Sequence, residues 1–148
     1  MRQSGGVLVA TVVGAATLVG GAFGLARRWL LVVRVHGQSM SPTYQPGDAV
    51  LARRRRGGEL ARGSVVICRL PPEIPGPDGY LVKRVVAVGG DPIPGGANGA
   101  RVPAGQVFLQ GDNPASYDSR SFGPIDVRFV RGRVIGLHLP FRSSSKGL

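Results

Sequence analysis

From Gly5 to Ala26 the chain carries no charged side chain. At ~1.5 Å per residue, a helix over that stretch is long enough to cross a hydrocarbon core of ~30 Å. Arg2 precedes the run, and Arg27, Arg28 and Trp29 follow it where interfacial anchors sit. A cleavable signal peptide is the rival reading, since Ala22 and Ala26 imitate a cleavage site. The run exceeds the ~7–15 apolar residues usual for a signal-peptide core, so a retained transmembrane helix is expected. Residues 1–28 are then an anchor segment, 29–141 one folded domain and 142–148 a frayed tail. The arginines after the run argue for a cytoplasmic C-terminus, yet a whole domain can be exported despite such a bias.

Beyond the anchor the chain reads as mainly β. Leu30–His36, Ala49–Arg54, Ser64–Leu70, Tyr80–Val88, Gln106–Gln110 and Val130–Leu139 are rich in β-branched residues and bounded by Gly, Pro, Asp or Asn. The 24 glycines and 12 prolines suit short strands and many turns better than a helical bundle. About six strands in one small sheet or barrel are predicted. Pro71–Gly79 and Gly89–Gly105 read as loops. The glycines of the second are not followed by Gly-Lys-Ser/Thr, so nucleotide binding is disfavoured. With Cys68 as the single cysteine, no intramolecular disulfide is possible, and its apolar alternating run gives it a core-packing role.

The formal charge of +11 brings nucleic acid and anionic lipid into consideration. No RNP-type aromatic pattern, zinc-finger spacing or helix-turn-helix accompanies the basic residues, so no nucleic-acid partner is expected. The run Arg53–Arg56 reads as a strand entering a solvated turn, with contact to lipid headgroups the next reading. No metal-ligand cluster is visible, and neither metal nor cofactor is expected. Among 19 basic residues only Lys83 and Lys146 are lysines.

Chemistry is suggested by "VHGQSMSPTYQPGD", Val35–Asp48, where Ser39 and Ser41 lie two apart. A serine hydroxyl needs a neighbouring base to become a nucleophile. His36 and His138 are available, but no Gly-x-Ser-x-Gly elbow supports a Ser/His/Asp triad. Lys83 is the stronger candidate. Strand alternation puts it with Leu81, Val85 and Ala87, and Arg84 with Val82 and Val86 on the other face. If the Leu81 face is the core face, desolvation lowers the lysine pKa and makes a neutral amine available as a base. Arginine cannot do this. A lysine snorkelling from an edge strand is the competing reading.

Three segments then coincide. "GQSMSPTYQPGD" (Gly37–Asp48), "YLVKRVVAVGGD" (Tyr80–Asp91) and "GDNPASYDSRSFGPI" (Gly111–Ile125) resemble, in order and style, the main motifs of the type I signal peptidase family. These are membrane-anchored serine proteases using a Ser/Lys dyad. The resemblance spans roughly Gly37–Gly132, and "FGPIDVRFVRGRV" is similar to mitochondrial inner-membrane and compact bacterial members. It implies a small signal-peptidase-like β-sheet or barrel domain behind the single transmembrane helix. It makes Ser39, directly before Met40, the nucleophile and leaves Ser41 at a variable position. It further implies Lys83 as general base, Ser116 as the serine that orients it, and Asp118 with Arg120 as a brace, aided by Arg84. Two departures stand out. Only Pro114 and Ala115 separate Asn113 from Ser116 where many members have three residues, and Gly37 replaces a serine that some members use as an oxyanion donor. The oxyanion then relies on main-chain N–H groups, that of Ser39 among them.

The implied activity is removal of signal or leader peptides from exported or membrane-inserted precursors, with small side chains at the first and third positions before the cut. Val35, Leu81 and Val82 are candidate linings for shallow pockets. The implied partners are precursor proteins and the lipid bilayer. The implied location is the extracytoplasmic side of a bacterial cytoplasmic membrane, or alternatively an organelle inner membrane. A dedicated maturation peptidase for one precursor is the nearest alternative. A self-cleaving repressor-type protease and a non-catalytic membrane-tethered basic β-module are more distant ones.

Overall fold

A computed structural model describes residues 28–54 and 60–139. The expected anchor over Gly5–Ala26, Arg55 and Arg56 of the basic turn, and the expected tail from 142 all lie outside these residues. Among the described residues no helix is long and apolar enough to cross a membrane. The chain divides into two compact units, Met1–Leu30 and Leu31–Leu148, and the second carries almost all the described structure.

Seven strands form one sheet: β1 (Leu30–Arg34), β2 (Ala49–Arg54), β3 (Val65–Cys68), β4 (Leu81–Val88), β5 (Gln106–Gln110), β6 (Ile125–Asp126) and β7 (Val130–Leu139). Their order is β1-β2-β7-β3-β4-β5-β6, and the pairings of β2 with β7, β7 with β3, β3 with β4, β4 with β5 and β5 with β6 are antiparallel. The six expected strands are all present within a residue or two at each end. β6, the short helix α1 (Ser119–Phe122) and the 3-10 turn Val127–Phe129 were not expected. Elements of two to four residues are too short to show a period in sequence.

β3, near the middle of the sheet, is buried throughout and packs apolar side chains on both faces. Val33, Val35, Met40, Val50, Ala52, Val65, Ile67 and Val82 form one core. Val66, Cys68, Val85, Val107, Leu109, Ile125 and Val130 form another, with Leu81, Phe122 and Phe129 packed on it. β3 alternates between them, Val65 and Ile67 to the first and Val66 and Cys68 to the second. Cys68 is buried as expected, and burial pushes its thiol up to about 12, partly opposed by Lys83 nearby. Alternation along β4 holds as far as Val85. A bulge between Val85 and Ala87 then breaks the register, so Ala87 joins a third small core with Val102 and Phe108 rather than the face of Leu81 and Val85.

The Gly89–Gly105 stretch is more ordered than its composition suggested. Gly90 N–H donates to the Val102 carbonyl at 2.8 Å and Val102 N–H to the Asp91 carbonyl at 2.8 Å, with Pro92 bridging Arg101. It is a small hairpin closed over buried Val102.

Candidate active site

The turn carrying the paired serines is closed at its base by two main-chain bonds. Val35 N–H donates to the Asp48 carbonyl at 2.7 Å, and Gly47 N–H to the Val35 carbonyl at 2.8 Å. Met40 is fully buried in the first core, so the residue after Ser39 pins the turn to the interior. Tyr44 N–H donates to the Met40 carbonyl at 3.0 Å, tightening the turn further. The two serines have different surroundings. Ser41 Oγ donates within its own turn, to the Tyr44 carbonyl at 3.5 Å and Gln45 Oε1 at 3.3 Å. The Ser39 carbonyl instead accepts from Asn113 N–H at 3.1 Å, while Asn113 Nδ2 donates to the Gln38 carbonyl at 3.1 Å. Ser39 thus rests against the third motif.

Lys83 comes from the middle of β4, directly opposite Val66 of β3. It is only 2% exposed, on the face that packs Leu81 and Val85 into the second core. The snorkelling reading is therefore excluded. Lys83 Nζ donates to Ser116 Oγ at 2.6 Å. Burial lowers the lysine pKa below its ordinary value, an effect that nearby Asp118 and Cys68 partly oppose and Arg120 reinforces. No hydrogen bond joins Lys83 to Ser39 among the described residues. Catalytic hydrogen bonds commonly tighten only when substrate is present.

Gly111 explains how the serines come together. A Cβ at this position would overlap Ser116 Oγ and the Ser39 carbonyl oxygen at once. Only a residue without a side chain lets these two segments close on each other. The short spacing between Asn113 and Ser116 is accommodated by an Asx turn. Ala115 N–H donates to Asn113 Oδ1 at 2.9 Å and Ser116 N–H to the Asn113 carbonyl at 3.0 Å. Two intervening residues therefore suffice to aim Ser116 at the lysine.

Asp118 is fully buried and caps α1. Its carboxylate accepts from Gly111 N–H at 2.8 Å, Arg120 N–H at 3.1 Å, Arg120 Nε at 2.9 Å and Arg120 Nη2 at 2.6 Å. Burial alone would raise its pKa, but the Arg120 guanidinium and the two backbone donors outweigh that and hold it down at about 2. Ser119 Oγ accepts from Leu109 N–H at 2.9 Å, tying the same turn to β5.

Arg84 does not join that pair. It donates to Asp112 through Nε at 2.8 Å and Nη2 at 2.6 Å, and through Nη1 to the Gly63 carbonyl at 2.9 Å. Thr43 Oγ1 donates to the same Asp112 carboxylate. The Arg84 bond and, in part, the Thr43 bond hold the Asp112 carboxyl below its usual range against burial. Asp112 and Thr43 were not singled out from sequence, although both stand inside the quoted motifs. The signal available was an acid between Gly111 and Asn113 in a chain with only 8 acidic residues.

The three residues expected to line pockets do not share a face. Val35 and Val82 belong to the first core and Leu81 packs on the second. His36 is exposed beside the serine turn.

The site thus brings together a serine turn, a buried amine of lowered pKa and a second serine that holds that amine. The chain belongs to the signal peptidase family, peptidase S26, which it matches over residues 7–95 and 94–138. It is a peptidase of that family. It is 39% identical over 119 residues to subunit 1 of the mitochondrial inner membrane protease of Mus musculus, covering 74% of this chain and 70% of that protein. Identity to subunit 1a of the mitochondrial ATP-independent inner membrane protease of Arabidopsis thaliana is 38% over 113 residues, 68% of this chain and 66% of the relative. Subunit 2 of the Schizosaccharomyces pombe protease is 33% identical over 122 residues, 76% of this chain and 66% of the relative. The chain spans about two thirds of the length of these relatives.

Proposed function

We propose that the protein is a membrane-anchored serine endopeptidase that removes signal or leader peptides by a Ser39/Lys83 dyad. The observation that carries this reading is the buried Lys83 amine held at 2.6 Å from Ser116 Oγ, beside a glycine that brings Ser116 against Ser39. Neutral Lys83 takes the Ser39 proton as the hydroxyl attacks the scissile carbonyl. The lysine returns that proton to the leaving amine, then activates water to release the acyl group. Ser116 fixes the amine, Asp118 with Arg120 shapes the turn that carries Ser116, and Arg84 with Asp112 steadies the serine turn. Main-chain N–H groups, including that of Ser39, receive the oxyanion.

The substrates are precursor proteins bearing leader peptides, and the anchor over residues 5–26 brings enzyme and substrate to one bilayer, raising their effective concentration. Residues 29–141 form the peptidase domain, on the side of the membrane to which precursors are exported. The names of the mitochondrial relatives favour an organelle inner membrane over a bacterial cytoplasmic membrane.

The test contrasts conservative variants in the full chain, using a signal-bearing precursor in detergent. Ser39→Ala and Lys83→Arg should both abolish cleavage with the protein still folded, whereas Ser41→Ala should retain most of it. Burial lowers the Lys83 pKa, so the parent rate should rise with pH to a midpoint below the ~10.4 of an ordinary lysine. Full cleavage by Lys83→Arg would remove the dyad.

A further inference from the structure

Asn113 engages its main chain and both ends of its side-chain amide, and these bonds reach two serine turns at once. Its N–H donates to the Ser39 carbonyl at 3.1 Å and its Nδ2 to the Gln38 carbonyl at 3.1 Å. Its carbonyl accepts from Ser116 N–H at 3.0 Å and from Arg120 Nη2 at 3.3 Å, and its Oδ1 accepts from Ala115 N–H at 2.9 Å. The amide fits only one way round, because Oδ1 meets a donor and Nδ2 an acceptor.

The Gln38 carbonyl and the Ser39 N–H belong to one trans peptide unit, so they point in opposite directions. Whatever holds the carbonyl therefore aims the N–H. The Gln38 carbonyl accepts both from Asn113 Nδ2 and from Ser41 N–H, the latter at 3.0 Å, and this polarises the unit and makes its N–H a stronger donor. The Ser39 N–H itself donates to no group among the described residues. Residue 37 is a glycine, with no hydroxyl to share the task. An unbonded N–H on a peptide gripped at its carbonyl is a donor fixed in advance for an incoming oxygen.

We propose that Asn113 is the positioning residue of the oxyanion hole: its side-chain amide, by holding the Gln38 carbonyl, points the Ser39 N–H at the oxygen of the scissile carbonyl. The inference rests on Ser39 as the nucleophile of the proposed function and adds the residue that aims the donor. Asn113 touches no reacting atom and acts only through the peptide it grips. Charge builds on the substrate oxygen in the tetrahedral state, and a donor already in place stabilises it more than one that must first turn. Loss of the grip should therefore fall on kcat rather than KM.

Two variants of the full chain isolate this bond, assayed on a signal-bearing precursor in detergent beside Ser39→Ala. Asn113→Ser keeps a side-chain acceptor for Ala115 N–H but is too short to reach Gln38. Asn113→Asp keeps the acceptor and replaces the donor by an oxygen that repels the Gln38 carbonyl. Both should fold, because the bond lost is exposed to water. Asn113→Ser should lower kcat about ten-fold, and Asn113→Asp further, with KM within about two-fold of the parent. The second readout is a peptide aldehyde. Ser39 Oγ adds to its carbon, the serine proton passes to Lys83, and the former carbonyl oxygen becomes an oxyanion in the hole. Aldehyde affinity should fall by the same factor as kcat, whereas affinity for the matching alcohol, which forms no oxyanion, should be unchanged. The pH midpoint of cleavage should stay at the parent value, because Lys83 and Ser116 keep their bond. Parent kcat in both variants, with Ser39→Ala dead, would overturn this proposal and leave the dyad standing. Equal weakening of aldehyde and alcohol, or a shifted pH midpoint, would also overturn it, by placing the effect on ground-state binding or on the base. Cleavage by Ser39→Ala would overturn the dyad and this proposal together.

Discussion

Two aspartate–arginine pairs flank the serines, and they are built differently. Asp118 and Arg120 lie two residues apart, and the carboxylate is wholly buried with four donors on it. Asp112 and Arg84 come from distant segments, the carboxylate is partly open to solvent, and Thr43 is a third member. The first pair shapes one turn from within; the second ties together three segments, the serine turn, β4 and the third motif. A buried carboxylate that caps a helix matters to its turn, because its loss leaves the Gly111 N–H and the first-turn N–H of Arg120 without an acceptor, even though the Arg120 side chain can turn to water. A partly exposed pair loses less when broken, since water replaces the partner. The local pair should therefore govern stability, and the long-range pair should govern alignment of the catalytic groups.

The sharpest break of this comparison is Asp118→Ala. It should lower stability by roughly 2 kcal/mol, because the Gly111 N–H and the main-chain N–H of Arg120 lose their acceptor and the short helix loses its cap. A thermal melt coincident with the parent would cancel the stabilising role. The same carboxylate gives an acid signature. Its folded pKa of about 2 lies below that of an ordinary aspartate, so its contribution is fully present above the unfolded value of ~3.9 and fades as pH falls through about 2. Asp118→Asn should remove that low-pH limb from a stability titration.

Disturbing the second pair should cost less in stability and more in rate. Thr43→Val and Arg84→Lys each loosen the clamp on Asp112, and each should lower kcat by about ten-fold with the melt shifted by about 1 kcal/mol or less. A melt shift as large as that of Asp118→Ala, with kcat unchanged, would reverse the roles assigned to the two pairs. The smallest effect is expected at Arg62, whose 3.4 Å pair with Asp91 is largely exposed. Arg62→Ala should stay within about 0.5 kcal/mol of the parent by denaturant titration and leave turnover unaltered.

The two pairs were unequally legible in sequence for the same physical reason that they differ in structure. Asp118 and Arg120 sit in one motif, and the resemblance points to both. Arg84 meets Asp112 across 28 positions of chain, and no local period links them. Alternation on β4 put Lys83 with Leu81 and Val85 but left a snorkelling lysine open, and the burial of that face in the fold decides between them. The choice of Ser39 over Ser41 rested on resemblance. The turn geometry adds a reason, because the Ser41 hydroxyl is engaged inside its own turn. Long β-branched runs betrayed six strands, whereas β6 and α1 owe their form to contacts with β5 that sequence alone does not display.

The buried side chain of Met40 ties the serine turn to the first core, and that has a dynamic corollary. A surface loop normally opens by small local fluctuations that leave the rest of a domain intact. This turn cannot swing away without withdrawing Met40 from among Val33, Val50 and Ile67. Its amide protons, that of Tyr44 foremost, and the Asn113 amide proton bonded to the Ser39 carbonyl should exchange with solvent only through openings that also release core amides of β2 and β3. The working lifetime of the proposed nucleophile is then the lifetime of the whole sheet rather than of a loop.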